Sequence, residues 1–265
     1  MHDAGSGRRH GTTLRSIGDR RLSDRELDVV TLAGGLGTRL KAALPDLPKV
    51  LAPVAGRPFL EYLLIQLRDQ GFRDVTLAVG HMAERIEAQF GSGQSLGLGL
   101  RYSREHEPLG TGGALRLALA LTDSNDLLVL NGDSFFGIDF GALVDFHTRQ
   151  RAAATIALAR VPECARYGSV SIDETGRVLA FREKGETGSG IISGGIYVFA
   201  RSSIEQIASG RKVSLEQEVL PSLVGHGLYG VLLDGYFADI GTPDAYEEAC
   251  RHPRGFVSST LGGHS

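Results

Sequence analysis

Residues 32–50 read LAGGLGTRLKAALPDLPKV, and this stretch decides the fold. It follows LDVVT (27–31), a short β-branched run of the kind that forms a strand buried on both faces. A buried strand that runs straight into GGLG makes a loop able to turn its backbone N–H groups toward an anion. Gly34, Gly35 and Gly37 leave room for that loop, Arg39 adds a planar bidentate donor, and Lys49 adds a compact charge ten residues on. Taken alone, a G-x-G is a turn and two cations are a solvated surface. Two better-known phosphate loops are excluded directly. No G-x-x-x-x-G-K-[ST] is present. The dinucleotide fingerprint fails because Leu40 stands where its third glycine belongs, with no acidic residue about 20 positions on.

Outward from this loop, the chain alternates. RPFLEYLLIQLRDQG (57–71) has Pro58 at a first helical position, leucines at helical spacing and a terminal glycine. DVTLAVG, LRYSRE and LLVLNGDSFF read as strands, while HMAERIEAQFG, GTGGALRLALALT and DFGALVDFHTRQ read as helices. That βαβα order predicts a parallel sheet with helices on both faces and a ligand crevice at the carboxyl ends of the strands. After residue 152, ATIALARV, YGSVSID, RVLAFREK and GGIYVFA follow as strands, with DETG as a hairpin turn. The second half is therefore mixed or antiparallel and covers the crevice of the first. RSSIEQIA and SLEQEVLPSLV are short helices, LYGVLLD and GYFADIG further strands, and TPDAYEEAC a closing helix capped by Thr242.

Composition sets the class. The 265 residues are 42% hydrophobic, 22% charged and 7% aromatic, enough chain for a sizeable core in one α/β domain. With 28 basic against 31 acidic side chains the net charge is −3, so neither nucleic acid nor a membrane surface is an expected partner. Any phosphate must be held locally by placed donors. The two cysteines, Cys164 and Cys250, are far apart and form neither a disulfide framework nor a zinc motif, which fits a cytoplasmic protein. Residues 1–27 are polar and arginine-rich without an apolar core, and read as a disordered or loosely attached extension rather than a secretory signal. Residues 28–252 form the expected catalytic domain and 253–265 a flexible tail. The histidines lack neighbours at ligand spacing, and no Ser/His/Asp arrangement stands out.

The glycine stretch resembles the G-x-G-T-R-x(n)-P-K signature of the sugar-phosphate nucleotidyltransferases, matched by Gly35, Gly37, Thr38, Arg39, Pro48 and Lys49. The likeness continues in the family's order through EPLGTGGAL (107–115), LNGDSFF (130–136), YGSV (167–170), REK (182–184), SGGIYVF (193–199) and FADIGTP (237–243). Among family members the chain is most similar to bacterial D-glycero-D-manno-heptose 1-phosphate guanylyltransferases. The resemblance implies a Rossmann-like, three-layer αβα nucleotidyltransferase fold of the glycosyltransferase-A type, with a mixed central sheet and a smaller antiparallel sugar-binding part. It also implies transfer of a nucleoside monophosphate from an NTP, with GTP expected, to a sugar 1-phosphate, releasing pyrophosphate with Mg²⁺ and without a covalent enzyme intermediate. Homo-oligomerisation is compatible with it. The alternatives are a uridylyl- or thymidylyltransferase acting on an N-acetylmuramate, mannose or glucose phosphate, and a nucleotide-sugar sensor without turnover.

Residue roles follow from the same resemblance. Leu32, Ala33, Gly34, Gly35, Gly37, Thr38, Arg39, Gly110 and Thr111 would bind the nucleotide. Arg39, Lys49 and Asp133 would be catalytic, and Asp133 with Asp239 would hold the metal, each aspartate closing a strand where a carboxylate has no packing role. Gly168, Glu183, Lys184, Ser193 and Gly194 would meet the sugar phosphate. Ser193 stands where many members have Asn, which removes an amide for reading sugar hydroxyls, and Gly185 stands where many have Pro.

Overall fold

The computed structural model describes residues 27–258, apart from 36, 38, 39, 41–45, 183, 184 and 186. The expected N-terminal extension, and Thr38, Arg39, Glu183 and Lys184, therefore lie outside the described residues.

The first half alternates as the sequence predicts. β1 (Leu27–Leu32) leads through the glycine loop to the short hairpin of β2 (Pro53–Val54) and β3 (Arg57–Pro58), then to α1 (Phe59–Asp69). β4 (Asp74–Val79), α2 (Ala83–Phe90), β5 (Gly99–Arg104), α3 (Gly110–Ala118), β6 (Asp126–Asn131), β7 (Ser134–Phe136) and α4 (Phe140–Gln150) follow. Pro58 is not the first helical residue. It pairs with Pro53 in the hairpin, and its φ of −54° delivers the chain to Phe59, where α1 begins.

The second half adds β8 (Ala154–Val161), β9 (Ser169–Ile172), β10 (Val178–Arg182), β11 (Gly190–Ala200), α5 (Arg201–Glu205), a π turn at Leu215–Val219 running into α6 (Leu220–Ser222), β12 (Leu228–Leu232), β13 (Phe237–Asp239), α7 (Pro243–Arg251) and α8 (Arg254–Ser258). Seven strands form one mixed sheet in the order β12-β8-β11-β6-β1-β4-β5. β11 runs antiparallel to both of its neighbours, β6 and β8, whereas β6, β1, β4 and β5 are mutually parallel. The second half thus extends the sheet of the first. Among the described residues three small antiparallel pairs stand outside it: β2–β3, β7–β13, and β9–β10, whose turn is tied by Asp173 Oδ1 to the backbone N–H groups of Thr175 and Arg177. GYFADIG accordingly supplies a strand to the small pair, not to the main sheet.

The period of two along each strand separates two cores. Val29 of β1, Val75 and Leu77 of β4, Leu128 and Leu130 of β6 and Val198 of β11 face α1, α2 and α4. Val30, Ala78, Leu127, Val129, Tyr197 and Phe199 face α3, α5 and α6. Asp139 caps α4 by accepting from Gly141 N at 2.7 Å, and Thr242 caps α7 by accepting from Ala245 N at 3.3 Å. The segment expected as a tail from residue 253 departs from that expectation at its start. α8 inserts Phe256, 1% exposed, among Phe59, Tyr62, Phe135 and Tyr236, with ring centroids 4.8–5.7 Å away. An aromatic ring with four aromatic neighbours buries too much apolar area to remain in solvent. No helix among the described residues is long and apolar enough to cross a membrane.

Candidate active site

The parallel strands β1, β4, β5 and β6 all end on one edge, so whatever follows each of them faces the same crevice. After β1 come Gly34, Gly35 and Gly37; after β4, Gly80; after β5, Glu105; after β6, Gly132 and Asp133. The three loop glycines, Glu105 and Asp133, together with Lys49 and the start of α3, wall a cavity of about 380 Å³.

At the β6 end, the Lys49 ammonium pairs with Asp133 Oδ2. Their side chains are 15% and 34% exposed, so both reach the cavity without being lost to bulk water. Lys49 arrives there because Pro48 precedes a single 3-10 turn whose Val50 and Leu51 are buried, and those two residues anchor the cation. The backbone carbonyl of Asp133 accepts from Ile240 N at 3.0 Å, and Ser134 pairs in register with Asp239. The β7–β13 pair therefore brings Asp239 beside Asp133. Asp239 Oδ1 accepts from Gly241 N at 2.8 Å, and Oδ2 accepts from the Tyr167 hydroxyl and from Arg166 at 3.4 Å. Burial, and then the Asp239 carboxylate, push the Tyr167 phenol well above its ordinary value, so it stays a donor.

At the β4–β5 end, Glu105 is the principal feature, and sequence reasoning missed it. Its Oε2 accepts from Leu109 N at 2.9 Å. A Cβ on Gly80 would lie 2.8 Å from Glu105 Cγ, so the carboxylate occupies the space that Gly80 leaves free. Burial raises its pKa, against the lowering effect of the Leu109 N–H. Nothing in a bare Glu marks it as a site residue. The signal was its place two residues before EPLG, immediately after the edge strand β5.

α3 closes the third side. Gly110 has a φ of +70°, and a Cβ there would lie 2.5 Å from Val213 O, so only glycine admits this approach. Val213 O accepts from Gly112 N at 2.9 Å, which locks the segment before the π turn onto the start of α3. That contact carries Lys212 and Glu216, also unforeseen, to the cavity wall.

Of the expected nucleotide residues, Leu32, Gly34, Gly35, Gly37, Gly110 and Thr111 line the cavity with Lys49 and Asp133. Ala33 instead is 3% exposed in the core, its N–H spent on Ala78 O at 2.8 Å. Of the expected sugar residues, Gly194 packs where a Cβ would meet the Phe136 ring, Ser193 Oγ donates to Tyr197 Oη at 3.2 Å, and Gly168 precedes β9. None of these three lines the cavity. Among the described residues no group of three or more His, Cys, Asp or Glu gathers as a metal cluster.

Comparison with known proteins extends this picture. The profile of the family described as nucleotidyl transferase matches residues 28–254. A D-glycero-alpha-D-manno-heptose 1-phosphate guanylyltransferase of Aneurinibacillus thermoaerophilus is 38% identical over 232 residues, covering 87% of this chain and 100% of that protein. A mannose-1-phosphate guanylyltransferase of Mycobacterium tuberculosis is 39% identical over 229 residues, 85% of this chain but 64% of that protein. HddC from Yersinia pseudotuberculosis superposes with a TM-score of 0.78 at 34% identity, covering 85% of this chain and 98% of that one. Its complex with GMP-PN superposes at 0.77.

Proposed function

Since the chain belongs to the nucleotidyl transferase family, we propose that it transfers the guanylyl group of GTP to D-glycero-α-D-manno-heptose 1-phosphate and releases pyrophosphate. The observation that carries this reading is a single cavity with two chemically different ends. One end has the backbone of Gly34, Gly35 and Gly37 beside Lys49 and Asp133, and the other has the half-buried Glu105 carboxylate. The first suits phosphates and the second a base. Guanine presents adjacent N1–H and N2–H donors to an acceptor pair, while a uracil N3–H is flanked by carbonyls that a carboxylate repels. The heptose is supported by the likeness to the guanylyltransferase of Aneurinibacillus thermoaerophilus, which matches that protein over its full length.

In the reaction, an oxygen of the sugar phosphate attacks the α-phosphorus in line. A new P–O bond forms, the bond from the α-phosphorus to the α–β bridging oxygen breaks, and pyrophosphate leaves with that electron pair. Two anions must meet, so the protein's contribution is placement and charge. The glycine loop presents N–H groups to the triphosphate. Lys49 exchanges Asp133 for phosphate oxygens, and Arg39 clamps the departing pyrophosphate. Glu183 and Lys184, with Gly168, Ser193 and Gly194, hold the sugar phosphate so that it approaches opposite the leaving group.

A Mg²⁺ ion fits the residues present. Asp133 and Asp239 stand on neighbouring backbones, each retains unoccupied carboxylate lone pairs beside its recorded partners, and both are hard oxygen donors. Two carboxylates suffice when phosphate oxygens and water complete the shell. When bound, the ion neutralises charge on the phosphates.

The test is pyrophosphate release with GTP, UTP, dTTP, CTP and ATP against a panel of 1-phosphates of D-glycero-α-D-manno-heptose, mannose, glucose and N-acetylmuramate. Release with GTP and the heptose phosphate, abolished by EDTA and restored by Mg²⁺, is expected. Release with another pair would discard the substrates and keep the chemistry. Tight nucleotide binding without release from any pair would point to a sensor.

A further inference from the structure

The two ends of the cavity leave its middle to be explained. Between them stand two polar groups that neither the phosphate chemistry nor the base chemistry uses, Glu216 and Asn131, both on the cavity wall. Glu216 comes from the π turn, and its rotamer is fixed from one side. Thr111 Oγ1 donates to Glu216 Oε2 at 2.8 Å while accepting from Leu215 N at 2.8 Å, and Ser214 Oγ donates to the same Oε2 at 3.3 Å. Its other oxygen, Oε1, has only a long contact at 3.5 Å from Asn131 Nδ2. Beside it, Asn131 Oδ1 is buried and has no hydrogen-bond partner. An orphan acceptor at that depth costs free energy unless a ligand or water satisfies it.

The position of this pair restricts what it can meet. Asn131 lies two residues before Asp133, and Thr111 opens α3 next to Gly110, on the side that continues through Leu109 to Glu105. Glu216 bridges the two. A carboxylate in that place repels phosphate oxygens, and the base already has its acceptor in Glu105. Between base and α-phosphate a nucleotide carries its ribose, whose hydroxyls are donors, and the underused Glu216 Oε1 on the cavity wall is an acceptor for one of them. The nearby Tyr197 phenol, raised first by burial and then by the Glu216 carboxylate, remains protonated and does not compete as an anion.

Building on the nucleotidyltransfer reading, we infer that Glu216 Oε1 accepts a hydrogen bond from the ribose 2′-hydroxyl of the bound nucleotide. The site thereby selects ribonucleoside over 2′-deoxyribonucleoside triphosphates. Glu216 is a binding residue in this role, and Thr111 positions it.

Equilibrium titration of GTP and 2′-deoxy-GTP by calorimetry, on wild type, Glu216→Ala and Glu216→Gln, tests the assignment. Wild type is expected to prefer GTP by roughly tenfold to a hundredfold, the effect of one hydrogen bond to a charged acceptor. Glu216→Ala should bring the ratio close to one by weakening GTP alone. Glu216→Gln, which keeps the volume and a carbonyl acceptor, covers the case in which the alanine variant fails to fold and should give an intermediate ratio. A residue that merely held α3 in place would weaken both nucleotides equally. An unchanged ratio in the folded variants, or no preference in wild type, would overturn the inference while leaving guanylyl transfer standing. If another base binds in place of guanine, the same comparison with that base's ribo and deoxy forms decides the ribose assignment while the guanine reading fails.

Discussion

Glu105 shows how a single residue acquires a role from its surroundings. Its carboxylate lies against Gly80 and Gly34, takes one backbone N–H from Leu109, and has its pKa raised because burial outweighs that bond. To accept from guanine N1–H and N2–H it must be ionised. As pH falls through its raised pKa, the protein loses that acceptor, so the advantage of Glu105 over Gln is present at neutral pH and disappears on acidification. We predict that GTP affinity in Glu105→Gln is about tenfold lower at neutral pH, in line with a lost charge-assisted bond. The wild-type to variant ratio should decline toward one with a midpoint above 4.5, the ordinary glutamate value. Taking the ratio cancels the ligand's own titration, and a ratio that is flat with pH would remove Glu105 from the base. Legibility differed sharply among residues at this scale. Lys49 and Asp133 sit in spaced motifs, and the structure pairs them across 84 positions. Glu105, Lys212 and Glu216 carry no motif of their own, because what brings them to the cavity is Gly80's missing side chain and the grip of Val213 O on α3.

At the scale of elements, periodicity located nearly every strand and helix, and the failures have physical causes. Pro58 satisfied the rule for a first helical residue, yet its partner in the β2–β3 hairpin, Pro53, lies five residues away and claims it for a strand. GYFADIG reads like any sheet strand, but only three of its residues pair, and they pair with β7, which puts Asp239 beside Ser134. α8 was invisible for a different reason. The apolar residues of the terminal run, Phe256, Val257 and Leu261, are too few to set a helical period, and the burial of Phe256 depends on Phe59, Tyr62, Phe135 and Tyr236, which come from distant parts of the chain. Phe256→Ala should therefore cost about 3–5 kcal/mol, the usual range for emptying an aromatic core site. In a chain of this size that lowers the thermal midpoint by roughly 10 °C. KM values should be unchanged in the protein that remains folded, since the ring touches none of the cavity walls. A midpoint within a degree of wild type would show that α8 does not hold the core closed.

Considered whole, the molecule is a sheet with two cores and one working edge. The order of elements predicted parallel strands with helices on both faces, and β6-β1-β4-β5 is that arrangement. The sequence could not say that β11 would insert antiparallel beside β6, since strand order depends on pairings between segments some 70 residues apart. That insertion matters for function. It sets Ser193 and Gly194 on β11 beside β8, outside the lining of the cavity that the glycine loop and Glu105 share, and the proposed function brings two anionic substrates to this edge of the sheet. The central claim is direct transfer between them. ³¹P NMR of a mixture of GTP, D-glycero-α-D-manno-heptose 1-phosphate, Mg²⁺ and catalytic protein tests it in one experiment. The account predicts loss of the triphosphate and sugar-phosphate signals, with a coupled diphosphate-diester pair and pyrophosphate growing in equal amounts. Appearance of inorganic phosphate with GDP, or of pyrophosphate with free GMP, would show transfer to water and contradict it.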